Sequence, residues 1–410
     1  AGTASLITGT FIAHRNGSIA IPLILLLSLG IYVLMSYSMY SFSRHISSAG
    51  GYYTFVSRGL GSSAGFITAL SYLTYGILSF TGFGILGFLG FSYAILPSIG
   101  IAIPYPNLLW IPVSLFFIFL VSFLIYMGIK PSLRYVSYTI FIEIGFLIAS
   151  SIILIIMYRN TLSVVPFTPA PLGNDPFTVF AMMVYAIGAY VGIGGSIPIA
   201  EETKHPKKNV PLAIIITVII LGVTIILSSY AQVIAWGFSN MFSFGSATQP
   251  YPLLYIYRSK FGYASMAMFL ALIVIVLNSF FTATVSLGTN ATRVLFSMSR
   301  EGALPKFLSV TNKNNGTPTM AMVTLAIISS IIVVASGVSF EYISGLNPMN
   351  ALLSSSVFLL ILEAPIIYIV HILTNSSLYL FMKKRIKMRG VDYLRYLIIP
   401  SASTITLIMA

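Results

Sequence analysis

The chain has 410 residues, of which 57% are hydrophobic and 7% are charged, and this composition excludes a soluble globular protein. A membrane-spanning helix needs about 20 apolar residues, so the chain has room for roughly ten or eleven such helices and for no large soluble domain. It contains no cysteine, which excludes disulfides and thiolate chemistry. A net charge of +13 is also typical of proteins that bind nucleic acid. The distribution of the basic residues along the chain decides between this explanation and the topology of a membrane protein.

Apolar runs separated by short polar breaks predict eleven helices, which we number 1 to 11 in chain order. Helix 1 is a partial segment at 1–13. The other ten are predicted at 18–43, 62–96, 107–128, 131–158, 175–200, 209–238, 264–292, 318–338, 348–374 and 393–410.

The basic residues are distributed unequally between the two sides that alternating helices would define. One side receives 17 of the 21 basic residues, including those within 204–208, 306–313 and 383–389. The other side has only Arg15, Arg159, Arg258 and Lys260. Because basic loops stay in the cytoplasm, the first side is predicted to be cytoplasmic and the protein to be a multi-pass protein of the cytoplasmic membrane. The bilayer therefore explains the charge, nucleic acid is excluded as a partner, and no protein partner is identified.

Two of the predicted helices have a composition that weakens an α-helix. The segment 1–11 is rich in small and hydroxyl residues, and helix 6 has four glycines between Gly188 and Gly195. Each interior glycine costs about 1 kcal/mol relative to alanine, and unwound backbone at membrane depth is tolerated only inside protein or beside a cavity. The freed N–H and C=O groups can then bind a ligand that carries a carboxylate and an ammonium group. The alternative is that small residues allow close helix packing.

The positions of these two segments divide the chain into halves. Weakened first helices in two five-helix units are typical of transporters with inverted repeats. We therefore predict a first repeat at 1–160 with helices 1 to 5, a second repeat at 175–380 with helices 6 to 10, and a final part at 381–410 with a basic cytoplasmic loop and helix 11.

Three motifs in order resemble those of the amino acid–polyamine–organocation permeases. The first motif is the stretch 48–61, which contains Gly50-Gly51-Tyr52. The second is 200–211, which contains Glu201-Glu202, and the third is 293–306, which contains Arg300-Glu301-Gly302. Ser47 stands where the family usually has proline, and His205 replaces an asparagine. The resemblance implies an all-α, five-plus-five inverted-repeat (LeuT-like) core with discontinuous helices 1 and 6. Relative to that pattern, helix 1 is partial and helix 12 is absent from this chain.

The resemblance also implies a substrate site. Thr3, Ala4 and Ser5 fall on the family's unwound segment of helix 1, which cradles the α-carboxylate, and the run Gly192, Ile193, Gly194, Gly195 falls on the segment of helix 6 whose carbonyls take the α-ammonium. Tyr190 is a neighbour expected to contribute to side-chain discrimination. Gly188 occupies a gate position where an arginine/agmatine antiporter relative has a bulky aromatic residue, which argues against arginine as the substrate.

Two acidic residues, Glu143 and Glu363, fall within predicted spans, where a carboxylate costs about 2.5–3.5 kcal/mol. Glu143 lies near the middle of helix 5, where many relatives carry a lysine that stands in for a sodium ion. It is a candidate proton-coupling group, or part of a cation site with Thr282 and Ser286, or a permanently protonated structural acid. Glu363 precedes Pro365 and is a candidate gate, a second titrating site or a neutral hydrogen-bonded acid.

The positions of three further side chains, His371, Glu201 and Glu202, predict their surroundings. His371, towards the end of helix 10, is predicted to be interfacial. Glu201 and Glu202 lie beside the lysines of 204–208, and we expect either a cytoplasmic ion-pair latch or a solvated helix end.

The sequence favours a secondary active transporter that moves an amino acid by alternating access, with proton coupling preferred. An exchanger of amino acids or amines and a sodium symporter are the alternatives within this fold. An intramembrane enzyme or a channel is the alternative of a different class. No His-Glu-x-x-His, aspartate pair or Gly-x-Ser-x-Gly occurs, so we predict no catalytic residue, no metal site and no cofactor apart from H⁺ or Na⁺ as the coupling ion.

Overall fold

The computed structural model describes residues 19–190, 192–245, 251–314 and 316–409. Within these ranges the regular structure is helical, and nine helices are long and apolar enough to cross a membrane. The predicted helix 1, with Thr3, Ala4 and Ser5, lies outside the described residues.

The first half of the described chain contains helices 2 to 5. Helix 2 is Ile21–Ser43, helix 3 runs through Ser62–Ser79, a π-helical turn at Phe80–Leu86 and Gly87–Ile95, helix 4 is Pro106–Tyr126, and helix 5 is Ile129–Met157. A short helix at Tyr52–Leu60, which we call the loop helix, connects helices 2 and 3.

The second half contains helices 6 to 11. Helix 6 begins as Pro176–Ile187, helix 7 is Pro206–Trp236, helix 8 is Ser265–Arg300, helix 9 is Thr319–Val338 with a π-helical end at Ser339–Ile343, helix 10 is Pro348–Lys383, and helix 11 runs from Gly390–Tyr393 through Leu394–Ile398 to Ile399–Met409. A short helix at Pro252–Ser259 lies between helices 7 and 8.

Several helix ends differ from the predicted ones for a physical reason. Helices 8 and 10 continue past 292 and 374 to Arg300 and Lys383. Hydropathy detects only the part of a helix that is apolar, whereas a helix that leaves the bilayer keeps its backbone hydrogen bonds in water. Helix 6 is shorter than predicted, because its α-helical part ends at Ile187 rather than at 200.

Helix 10 forms the centre of one packing unit. It contacts helix 3 along its length and also contacts the loop helix, while helix 2 packs on helices 6 and 7. A Cβ atom at Gly59 would overlap the backbone carbonyl of Ser377, so glycine is needed for the loop helix to approach helix 10 this closely. The loop helix is therefore held between helices 3 and 10, at the end of the bundle that carries most basic residues. We call this end the basic end.

Candidate functional site

The backbone of helix 6 opens where its glycines are concentrated. After Ile187 the chain forms a 3₁₀ turn at Gly188–Tyr190, Gly192 has φ of 104°, and a second 3₁₀ turn follows at Ile193–Ser196. A φ in this range favours glycine, because other residues are strained there. The predicted break in helix 6 is confirmed, and the chain beyond it continues in short 3₁₀ turns.

A cavity of about 30 Å³, enough for about one water molecule, lies directly beside this break, so it must widen to hold a larger ligand. Helices 2, 3, 8 and 10 and the loop helix all contribute side chains to its wall, and helix 6 contributes the glycines Gly192, Gly194 and Gly195. The opened backbone of helix 6 therefore faces a space that several elements share, which is the arrangement expected if its N–H and C=O groups bind a ligand.

The absence of a side chain at Gly194 allows the Tyr52 side chain of the loop helix to pack directly against the opened segment of helix 6. The Tyr52 hydroxyl donates a hydrogen bond to the Met39 sulfur at 2.7 Å. A Cβ atom at Gly194 would overlap this hydroxyl and lie 3.0 Å from the same sulfur. A side chain at position 194 would thus occupy space that Tyr52 fills in this structure.

Tyr190 and Gly188 differ in their surroundings from the other residues assigned to helix 6. Tyr190 is fully buried, and its hydroxyl donates to the Leu25 carbonyl at 3.0 Å, so it fastens the opened segment to helix 2. Gly188 is exposed, and an added Cβ would meet no atom within 4 Å. The proposed gate position therefore has room for a larger side chain, and its role stays a prediction.

Glu143 is buried between helices 5 and 8. The hydroxyl of Ser279 donates to its carboxyl group at 3.1 Å. Thr282 and Ser286, which the sequence suggested as partners, donate to the backbone carbonyls of Ser279 and Thr282 at 3.1 and 2.9 Å. The sequence missed Ser279, although it lies three residues before Thr282 and hence on the same face of helix 8.

Glu363 connects helix 10 to helix 3. It is buried and accepts a hydrogen bond from the hydroxyl of Ser79, the last residue before the π-helical turn of helix 3. Ser356, two turns earlier on helix 10, donates to the Gly82 carbonyl within that turn at 2.8 Å. The helix continues through Pro365. Glu363 therefore holds an irregular part of helix 3 in place, and its role as a gate stays a prediction.

A set of ion pairs, which we call the ion-pair cluster, lies at the basic end. Both carboxylate oxygens of Glu201 accept hydrogen bonds from the Arg300 guanidinium, at 3.0 and 3.1 Å, and one of them also accepts from the Ala49 N–H at 2.9 Å. Glu202 forms an ion pair with Arg293, which is 6% exposed. The cluster joins three segments: the loop before the loop helix, the end of helix 6, and helix 8.

The partners in the ion-pair cluster are not the neighbouring lysines that the sequence suggested. The arginines lie more than 90 residues further along the chain, so no local pattern could identify them. The Arg300 guanidinium, with help from the Ala49 N–H, holds the pKa of Glu201 below its usual range against the opposing effect of burial. Glu201 is therefore ionised at neutral pH.

His371 also differs from its prediction. It is 3% exposed rather than interfacial, it lines the cavity beside helix 6, and its ring makes an edge-on contact with Tyr52 at 5.7 Å between ring centres. Hydropathy could not show this, because the loop helix covers the segment of helix 10 that the sequence places near the membrane surface. No group of three or more His, Asp or Glu side chains that could bind a metal occurs among the described residues.

The chain is similar to known transporters in sequence. The branched-chain amino acid permease BcaP of Bacillus subtilis (strain 168) is 23% identical over 327 residues, which are 77% of this chain and 67% of that protein. The uncharacterized transporter lpg1691 of Legionella pneumophila is 25% identical over 320 residues, which are 74% of this chain and 65% of that protein. The chain thus spans about two thirds of the length of these curated relatives.

The fold is also known from solved structures. MhsT, solved in complex with L-phenylalanine, superposes with a TM-score of 0.63 over 100% of this chain and 95% of its own, at 15% identity. This likeness confirms the LeuT-like all-α fold. The family model for amino acid permeases matches residues 1–410. The chain therefore belongs to the amino acid permease family, whose members are membrane transporters and not enzymes.

Proposed function

We propose that the protein is a secondary active transporter that moves an amino acid across the cytoplasmic membrane by alternating access, with a proton as the coupling ion. The observation that carries this proposal is the opened, glycine-rich backbone of helix 6 beside a shared cavity. The names of the relatives support the class of substrate, since BcaP is named for branched-chain amino acids and MhsT was solved with L-phenylalanine.

The opened segment fits an amino acid because of the charges that a zwitterion carries. Backbone N–H groups at the start of a helical segment favour a carboxylate, and unpaired carbonyls favour an ammonium group. Gly194 and Gly195 line the cavity and have no side chains of their own that would cover their backbone N–H and C=O groups. In this proposal Thr3, Ala4 and Ser5, which lie outside the described residues, also contribute to the site.

The ion-pair cluster supports alternating access. It joins the loop helix region, the end of helix 6 and helix 8 at the basic end, so while it is formed it closes the cytoplasmic route to the cavity. Opening to the cytoplasm requires these contacts to separate. The side chains of Arg300 and Glu201 are 43% and 37% exposed. Exposed ion pairs contribute only about 0–1 kcal/mol, which is small enough for this pair to be broken and remade in each transport cycle.

Uptake into proteoliposomes tests the proposed function. We expect saturable uptake and counterflow of an amino acid from a panel, and stimulation when a proton gradient is imposed without a sodium gradient. A channel would give non-saturable flux without counterflow. Stimulation by sodium alone would replace the proton by sodium as the coupling ion, and counterflow that no ion gradient stimulates would make the protein an exchanger.

Topology gives a separate prediction. Cysteines introduced one at a time into this cysteine-free chain at Lys384 and at positions within 236–262 should differ in labelling by an impermeant thiol reagent on intact cells. We expect labelling in 236–262 and none at Lys384→Cys, because the positive-inside rule places 383–389 in the cytoplasm. Labelling of Lys384→Cys from outside would reverse the orientation.

Glu143 gives the prediction on coupling. We expect Glu143→Gln to lose uptake driven by a pH gradient but to keep substrate binding and counterflow, because glutamine keeps the shape of glutamate and can still accept from Ser279. Uptake driven by proton and sodium gradients and counterflow are measured on the same preparation. Ser330→Ala in helix 9 is the control, since Ser330 bonds the backbone of its own helix and is not assigned to the ion site.

The three hypotheses for Glu143 separate in this experiment. A sodium site predicts that Glu143→Gln mainly weakens sodium-stimulated uptake, and a structural acid predicts little change in either mode. Wild-type uptake driven by a pH gradient in Glu143→Gln contradicts the coupling role.

A further inference from the structure

The side chains around the cavity beside helix 6 carry no formal charge. Among the described residues, its wall is built from tyrosines, one histidine, one asparagine and apolar residues, without Asp, Glu, Lys or Arg. A ligand with a charged side chain would be left without a counter-charge in a poorly hydrated site, which is costly. The cavity therefore suits an amino acid whose side chain is neutral.

Aromatic rings form one continuous wall of this cavity. The rings of Tyr52 and Tyr72 are 4.8 Å apart, those of Tyr72 and Tyr75 are 5.8 Å apart, and His371 contacts Tyr52 edge-on. Aromatic side chains gain from offset or edge-to-face contacts with another ring, in addition to the burial of apolar surface. A ligand ring placed against this wall obtains such contacts, whereas an aliphatic side chain obtains only burial.

Two polar atoms on this wall lack a strong hydrogen-bond partner. Nδ1 of His371 is buried and has no hydrogen-bond partner among the described residues. The Tyr52 hydroxyl donates to the sulfur of Met39, and a thioether is a weak acceptor. Buried polar groups are normally satisfied, because leaving one unpaired costs stability. A ligand that brings a hydrogen-bonding group to His371 Nδ1 would satisfy this atom.

We propose that the cavity selects neutral amino acids whose side chain is an aromatic ring with a hydrogen-bonding group, such as tyrosine or tryptophan, and that His371 is the residue that recognises this group. The inference rests on the proposed function, namely that this cavity binds the transported amino acid. A site built to bond a substrate hydroxyl discriminates strongly against the analogue that lacks it, because the site's own polar groups are then left unpaired.

Counterflow of tyrosine, phenylalanine and leucine in proteoliposomes, with mutual competition, tests this proposal. We expect the wild type to prefer tyrosine over phenylalanine by about 10- to 100-fold, the factor that corresponds to one unpaired buried polar group. His371→Phe should bring this ratio close to one by reducing tyrosine transport while phenylalanine transport is kept. His371→Asn, which keeps a hydrogen-bonding group near the position of Nδ1, should retain part of the preference.

His45→Phe is the matched control. His45 also makes an edge-on contact with a ring, that of Phe381 at 6.1 Å, but its Nδ1 already bonds the Ser41 carbonyl at 2.9 Å. We expect it to leave the tyrosine-to-phenylalanine ratio unchanged. A structural role for His371 would reduce the transport of both substrates equally.

The contradicting outcomes are distinct. Equal transport of tyrosine and phenylalanine by the wild type overturns the inference, as does an unchanged ratio in His371→Phe. If that variant does not fold, the wild-type ratio and His371→Asn still decide. Counterflow of no amino acid at all overturns the proposed function and the inference with it, whereas saturable counterflow without preference for a polar ring overturns the inference alone.

Discussion

Gly194→Val is expected to abolish substrate binding and transport. Its Cβ atom would overlap the Tyr52 hydroxyl and press on the Met39 sulfur, and its branches would extend further into the cavity. Overpacking of this kind costs about 1–3 kcal/mol even where neighbours can shift. Here the neighbours are the loop helix and helix 2, so the opened backbone itself must move. Binding of radiolabelled substrate to the purified protein measures the effect.

Helix 2 provides the control for this change. Gly30→Val adds the same side chain at an exposed position of that helix, where a Cβ atom meets nothing within 4 Å. We expect this variant to bind substrate with nearly wild-type affinity.

A second-site change tests the cause. The milder Gly194→Ala should be partly rescued by Tyr52→Phe, because this change removes the overlapping hydroxyl and leaves the ring carbon at 3.3 Å. Wild-type affinity in a folded Gly194→Val protein would remove the opened segment of helix 6 from the site.

Loss of Glu201 is the change with the second largest expected effect. Glu201→Gln removes the carboxylate that accepts hydrogen bonds from both the Arg300 guanidinium and the Ala49 N–H. The ion pair that connects helix 8 to the end of helix 6 and to the loop before the loop helix is then lost. We expect the cytoplasmic route to stay open for longer. Labelling of Ser196→Cys by an impermeant thiol reagent in inside-out vesicles should become faster, and transport against a gradient should fall while counterflow continues.

Two further variants show whether the charge pair is the cause. The exchange Glu201→Arg with Arg300→Glu should restore slow labelling, because the pair is present again with its charges reversed. Lys204→Gln removes a charge that lies beside Glu201 in sequence but forms no ion pair with it, and we expect no change in labelling. Equal labelling rates in the wild type and Glu201→Gln would show that the cluster does not close the route.

The pH dependence of this effect follows from the lowered pKa of Glu201. A group whose pKa is lowered in the folded state stabilises that state above its ordinary pKa, and the contribution is lost as the pH falls through the lowered value. The ordinary pKa of glutamate is about 4.3, so labelling in the wild type should be the same at pH 7 and pH 5.5. Glu201 is therefore not the group that senses protons at physiological pH.

The helices and the break in helix 6 could be predicted from the sequence, because both depend on local properties. Twenty apolar residues form a span in any context, and clustered glycines weaken a helix wherever they occur. The alternation of basic and less basic loops supports the predicted number of helices, since one missed span would exchange the predicted sides of every later loop.

The contacts between distant segments could not be predicted in this way. Glu201 lies beside three lysines in sequence and pairs with Arg300 in space. The hydrogen bond from Ser279 to Glu143 was not predicted, because a difference of one helical turn depends on how helices 5 and 8 are shifted along each other. The cation site with Thr282 and Ser286 stays a prediction. His371 was placed at the interface because nothing in its own helix indicates that Tyr52 covers it.

Helix 8 is one uninterrupted α-helix of 36 residues, and at 1.5 Å per residue it is about 54 Å long. It contains no proline, and it carries Ser279 near its middle and Arg300 at its end. These two residues, the partners of Glu143 and Glu201, are therefore about 30 Å apart on a single stiff rod. A tilt of this rod by about 5° about Ser279 displaces Arg300 by roughly 3 Å, which is the length of a hydrogen bond. Because helix 8 is continuous, a tilt of this size beside Glu143 would be enough to lengthen the ion pair between Glu201 and Arg300 at the basic end.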